Sequence, residues 1–236
     1  QHDLATSKNI RNSKRGQRRN KHHGNSTDDA RHGKWNHDFG QNCAGVLELE
    51  IKGRKGQRIT ARHAEVLLNG ELFTKPLRSA KAKLEYVCGG EEETYCPKFT
   101  FMGFRYAELC GIEPENVKVR MKVISSIDEE TGDFFCSNES INRLQKNIRY
   151  SGFSNFLEIP TDCPQRDERL GWTGDISVFA STACFNFNMN RFLRKWLIDV
   201  KAQQTKDGGI PVVVPRVKHF LSLIHISEPT RRTPIS

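Results

Sequence analysis

The hydrophobic period changes once along this chain, and that change limits the possible folds more than any other feature. From Trp35 to about Ile127 the apolar residues recur at alternate positions. Val46–Lys52 alternates cleanly from Leu47 onward, as a strand with one buried face does. Arg58–Val66, Lys83–Val87 and Val117–Ile124 read as further strands, and the aromatic-rich run Phe99–Leu109 includes another. Gly53 and Gly56 mark a turn after the first of these. Several short strands with glycine and proline turns, and no helical stripe, predict an antiparallel β-sandwich over residues 35–127.

From Phe135 the period is helical. Ser137 can cap a helix in which Ile141, Leu144 and Ile148 share a stripe, with Gly152 as its terminator. Asp175 or Thr173 can cap a second helix, with Ile176, Phe179, Ala180 and Ala183 inward. A third starts after Asn190, places Phe192, Leu193, Trp196, Leu197 and Val200 on one face, and stops by Asp207-Gly208-Gly209. Residues 185–189 connect the last two helices, and Ile210–Pro215, with its two prolines, reads as an extended loop.

Pro160–Asp175 lies between the first two helices and fits neither period. Pro160 and Pro164 restrict the residues before them, and Gly171 and Gly174 permit tight turns. A rigid loop held by a scaffold is where functional side chains often sit. The loop carries Asp162, Asp167, Glu168 and Asp175. Carboxylates packed together repel, which raises at least one pKa, and Trp172 supplies an apolar wall that raises it further. A carboxylic acid still protonated at neutral pH can protonate a leaving oxygen. The other carboxylates can accept hydrogen bonds from hydroxyls, and an indole face suits a sugar ring. The competing interpretation is a salt-bridged surface loop in which Arg166 and Arg169 neutralise the acids.

The run IPTDCPQRDERLGWTGD at 159–175 resembles the signature of bacterial α-L-rhamnosidases, glycoside hydrolase family 78. The stretches DFGQN (38–42), HAEVL (63–67) and FTFMGFRYAEL (99–109) are similar to the β-sandwich domain that precedes the catalytic domain in that family. The resemblance implies a multidomain β-then-α chain, an antiparallel β-sandwich followed by the truncated start of an (α/α)₆ barrel over 128–215. It implies hydrolysis of terminal α-L-rhamnose with inversion. Glu168 matches the general acid, Asp162, Trp172 and Asp175 match rhamnose contacts, and Arg166 and Asp167 lie in the same motif as pocket residues. The general base of the family lies far downstream, and no residue here matches it. Twelve helices with their connections need on the order of 200 residues, more than the stretch from Phe135 to Pro215 supplies. The expectation is an incomplete barrel whose inward faces stay exposed.

The net charge of +9 raises nucleic acid as a partner, but its distribution argues otherwise. Residues 1–34 hold nine Lys/Arg against three Asp/Glu, and residues 216–236 hold four against one. These six and three positive charges account for the whole excess and leave 35–215 neutral. Residues 1–34 are too poor in apolar side chains to offset their ordering entropy. They read as disordered, as non-native, or as a basic arm for a polyanion. Residues 222–236 resemble a translated sequencing adapter, and 216–236 is expected to be non-native. The chain is then a fragment with foreign or frame-shifted ends.

Metals and cofactors find little support. His63 and Glu65 lie on one strand without further ligands, and no metal or other cofactor is implied. Seven cysteines without a CxxC pair fit a reducing, cytoplasmic setting better than a disulfide scaffold, and Cys163 reads as packing. No apolar run is long enough to span a membrane. The resemblance implies a rhamnose-containing glycoside as partner, and neither nucleic acid nor membrane is expected. A non-catalytic carbohydrate-binding sandwich is the alternative, and it has no need of Glu168 or the clustered carboxylates. A barrel glycosidase for glucuronides is a further enzyme alternative, from which the motif points away.

Overall fold

The computed structural model describes residues 33–217. The expectations for the two basic ends fall almost entirely outside these residues. Two compact units emerge, residues 33–124 with 164–167, and residues 125–163 with 168–217.

The first unit is a sheet of six strands with two short hairpin strands beside it. In chain order these are β1 (Trp35–Lys52), β2 (Arg58–Ala64), the short β3 (Leu67–Leu68) and β4 (Glu71–Leu72), β5 (Lys83–Val87), β6 (Glu92–Tyr95), β7 (Met102–Cys110) and β8 (Val117–Val123). All pairings are antiparallel. The first half of β1 pairs with β7, from Trp35 opposite Leu109 to Gly45 opposite Met102. Its second half pairs with β8 on one edge and β6 on the other. A register shift between Asp38 and Cys43 separates the stretches of pairing with β7, and Gly40 takes φ +78° there. One strand thus belongs to both leaves of a sandwich, which is how strands turn corners.

Sequence alternation decides which faces meet. Leu47, Leu49 and Ile51 of β1, Ile59 and Ala61 of β2, and Phe104, Ala107 and Leu109 of β7 bury into one core. On the opposite face of β1, Glu48 and Glu50 meet Arg120, Lys122 and Lys118 of β8 in a ladder of partly exposed ion pairs. Exposed pairs of this kind contribute little each. The strands β3, β4 and β6 and the first half of β1 escape the sequence reading, because they are two to four residues long or lack clean alternation.

His63 belongs to the sandwich core. It is 2 % exposed. Its Nδ1 lies 2.8 Å from the Ala82 carbonyl oxygen, which also accepts the His63 backbone N–H at 3.0 Å. Its ring meets Phe104 edge-on. Glu65 instead accepts a hydrogen bond from the Asn42 amide. Burial pushes the His63 imidazole down to about 4. The unfolded chain binds a proton near 6.5, so it holds more protons than the fold between these values. Stability is complete above 6.5 and falls as pH drops toward 4, by roughly 3 kcal/mol. Denaturant unfolding across this range should show the slope, and His63→Leu should remove it, because the backbone N–H still satisfies Ala82.

The second unit is built on α1 (Glu139–Asn155), α2 (Thr173–Asn186) and α3 (Asn190–Gln203). Four two-residue strands join them, β9 (Phe156–Leu157), β10 (Ile159–Pro160), β11 (Gly171–Trp172) and β12 (Val213–Val214). Their core contains Phe153, Phe156, Ile176, Ala183, Phe187, Phe192 and Trp196.

Several helix details differ from the sequence reading. Asn138, not Ser137, caps α1, its side chain accepting from the N–H groups of Ser140 and Ile141. Gly152 does not terminate α1, which continues to Asn155. Its role is close packing, since a Cβ there would stand 2.5 Å from Cε2 of Phe187. Neither Asp175 nor Thr173 caps α2. Trp172 holds the N-cap position without a side-chain bond, and the Thr173 hydroxyl donates to the Pro211 carbonyl at 2.9 Å. The stripe of α1 is not core: Ile141 is 45 % and Leu144 57 % exposed, and with Phe134 and Ile148 they line an open cavity of about 180 Å³. Leu197 of α3 is exposed as well.

Candidate active site

The loop 161–170 is tied at both ends. Thr161 bridges to Gly171. Its N–H and hydroxyl both donate to the Asn155 carbonyl, at 3.0 and 3.1 Å. On the far side β11 pairs with β12, Gly171 opposite Val214 and Trp172 opposite Val213. Ile210–Pro215, expected as an extended loop, supplies this partner strand. Gly171 and Gly174 are not turn glycines. Gly171 is a strand residue, and Gly174 lies in the first turn of α2. The left-handed backbone falls on Arg169 instead, at φ 52°, a conformation that costs a non-glycine residue of order 1 kcal/mol. Burial also pulls the Arg169 guanidinium below its usual value.

Within the helical unit the structure brings Glu168 and Trp172 together. Oε1 of Glu168 accepts the indole Nε1–H of Trp172 at 2.7 Å and the backbone N–H of Leu170 at 2.8 Å. The indole therefore meets this carboxyl with its polar edge, where an apolar wall was expected. Asp162 lies in the same unit and accepts from the Cys163 thiol at 3.4 Å, so Cys163 serves a neighbouring side chain. Asp175 stands exposed in the first turn of α2, where a carboxylate complements the helix dipole.

The segment 164–167 packs with the sheet unit. A Cβ on Gly103 would lie 2.8 Å from the backbone nitrogen of Gln165 and from Cγ of Pro164, so only glycine admits this segment against β7. Arg166 is half-buried there, and Asp167 is exposed. The Ser79 hydroxyl and backbone N–H both donate to Oδ2 of Asp167, the latter at 3.3 Å. The hydroxyl bond holds the Asp167 carboxyl below its ordinary value. Mutual repulsion was expected to raise a pKa among these acids, but at Asp167 a hydrogen bond to the charged form dominates. Ser79 is the site neighbour that sequence reasoning missed. It lies 88 positions from Asp167, and an isolated serine carries no local signal.

A sandwich followed by helices, with an acid-rich loop clamped before the second helix, has clear relatives. The family model for the bacterial alpha-L-rhamnosidase concanavalin-like domain matches residues 28–127, and that for the bacterial alpha-L-rhamnosidase 6 hairpin glycosidase domain matches residues 129–230. The chain belongs to the bacterial α-L-rhamnosidases. An α-L-rhamnosidase of Streptomyces avermitilis is 45 % identical over 184 residues, covering 76 % of this chain and 18 % of that protein. One from Formosa agariphila is 43 % identical over 188 residues, covering 77 % and 20 %. Among solved structures, the S. avermitilis enzyme complexed with L-rhamnose superposes with a TM-score of 0.75 at 44 % identity, covering 78 % of this chain and 18 % of that one. The native enzyme of Aspergillus terreus gives 0.75 at 44 % identity, covering 80 % and 23 %. The chain thus spans about a fifth of the length of these relatives.

Proposed function

We propose that this chain is part of a longer inverting glycoside hydrolase that removes terminal α-L-rhamnose from rhamnose-containing glycosides, with Glu168 as general acid. The observation that carries the assignment is the fixed carboxyl of Glu168. Two N–H donors, from Leu170 and Trp172, converge on its Oε1 in a loop clamped at both ends. These two bonds set the rotamer of the Glu168 carboxyl before substrate arrives. Pre-organisation of this kind supplies much of the benefit of a positioned acid. Asp162, Arg166, Asp167, Trp172 and Asp175 are assigned to the sugar. Their carboxylates and guanidinium can bind ring hydroxyls, and the indole can cover an apolar sugar face. The base that activates water, roughly 6.5–9.5 Å from the acid in an inverting enzyme, comes from a part of the protein that these residues do not include.

The test follows hydrolysis of an aryl α-L-rhamnoside by NMR, using the longer protein. The first sugar released is expected to be the β-anomer. Release of the α-anomer first would overturn inversion, and no release would overturn the activity. The 236-residue chain by itself is expected to give no turnover. Turnover by that chain that depends on Glu168 would place a base within it.

A further inference from the structure

Resting on the rhamnosidase reading above, we propose that Ser79 is a positioning residue for this reaction, which fixes the carboxylate of Asp167, assigned above to the sugar. Ser79 presents two donors, hydroxyl and backbone N–H, to one oxygen of Asp167. Two donors on one acceptor define its position better than one, and bonds to a charged acceptor are the stronger kind. Ser79 is itself held firmly. It follows a 3₁₀ turn over Lys75–Leu77 that contains Pro76. Arg78 takes a left-handed backbone, φ 56°, and donates its N–H to the Lys75 carbonyl. Ala80 donates to the Leu77 carbonyl at 3.0 Å, and Leu77 is buried. The Arg78 charge adds attraction for Asp167.

The other end of the same short segment is fixed against Gly103 by backbone contact at Pro164 and Gln165. Residues 164–167 are therefore held at two points by elements remote in sequence, and the second of these is the Ser79–Asp167 bond. Asp167 is exposed, so burial does not restrain its side chain. Without the hydroxyl it keeps only the longer bond from the Ser79 backbone N–H, and the motif has a less well fixed carboxylate.

The experiment measures kcat and KM of the longer protein on an aryl α-L-rhamnoside for Ser79→Ala, Ser79→Thr, Asp167→Ala and the Ser79→Ala/Asp167→Ala pair. Ser79→Ala should lower kcat/KM roughly tenfold, as expected for a lost hydrogen bond to a charged group. Ser79→Thr, which keeps the hydroxyl, should restore most of it. In the Asp167→Ala background Ser79→Ala should cost nothing further, because its only route to the reaction is gone. Unchanged kcat/KM in Ser79→Ala overturns the proposal. So does an equal loss in the Asp167→Ala background, which would mark a merely structural serine. Glu168→Gln, run in parallel, separates the two levels. If Glu168→Gln is inactive and Ser79→Ala is normal, only the role of Ser79 fails, whereas an inactive unsubstituted protein sinks the rhamnosidase reading and this inference with it.

Discussion

Glu168→Gln in the longer protein is expected to lower kcat/KM for alkyl and glycosyl rhamnosides by about 10²–10⁴-fold, the usual contribution of a positioned acid. Glutamine is nearly isosteric and can still accept the N–H groups of Leu170 and Trp172 on its amide oxygen. It cannot release a proton. Sugar binding should persist, and the loss should shrink for nitrophenyl rhamnosides, whose leaving oxygen needs little protonation. Asp162→Asn and Asp175→Asn should instead weaken both substrate types alike, because a hydroxyl contact does not depend on the aglycone. The diagnostic is the ratio of kcat/KM values on the two substrates for each variant. If Glu168→Gln slows both equally while Asp167→Asn shows the leaving-group dependence, the acid is Asp167.

The change of period was legible because it reflects burial directly. Leu47, Leu49 and Ile51 alternate since each faces the sandwich core, and Phe192 and Trp196 share a face since α3 buries it. The expected strand segments Arg58–Val66 and Val117–Ile124 fall on β2 and β8 for the same reason. Alternation misled where a side chain's partner lies outside its own element. Gly152 has the look of a stop signal, yet what selects glycine there is the ring of Phe187. Ile141 and Leu144 form a correct amphipathic stripe that nothing among the described residues covers completely. Periodicity shows that a face is apolar and cannot show what packs on it. The carboxylates of the loop were legible as a cluster in sequence, but their electrostatics depend on remote groups. Ser79 donates to Asp167, and the Trp172 indole turns its N–H edge to Glu168. Neither contact follows from spacing within the motif.

Gly171→Ala is expected to be the most damaging single-methyl change in the loop. A Cβ at this position would stand 2.4 Å from Cη2 of Trp196 and 2.4 Å from the Val214 carbonyl oxygen. Both neighbours are poorly able to yield. Trp196 is 2 % exposed in the helical core, and Val214 is fully buried and paired with Gly171 itself. Backbone strain plays no part, since Gly171 is absent from the left-handed conformations. The methyl must therefore separate β11 from β12 or displace the indole. Overpacking of this kind costs about 3 kcal/mol at the upper end of its usual range, which a thermal melt of the longer protein would resolve. The functional loss should exceed the loss of folded protein. Trp172 follows Gly171 directly and donates to Glu168, so a shifted β11 moves the donor that holds the proposed acid. Adding Trp196→Leu should relieve the ring contact but leave the carbonyl contact, and so recover stability only in part while kcat/KM stays low. Full recovery in that double variant would mean that the strand pairing tolerates a methyl, and that Gly171 serves the packing of Trp196 alone.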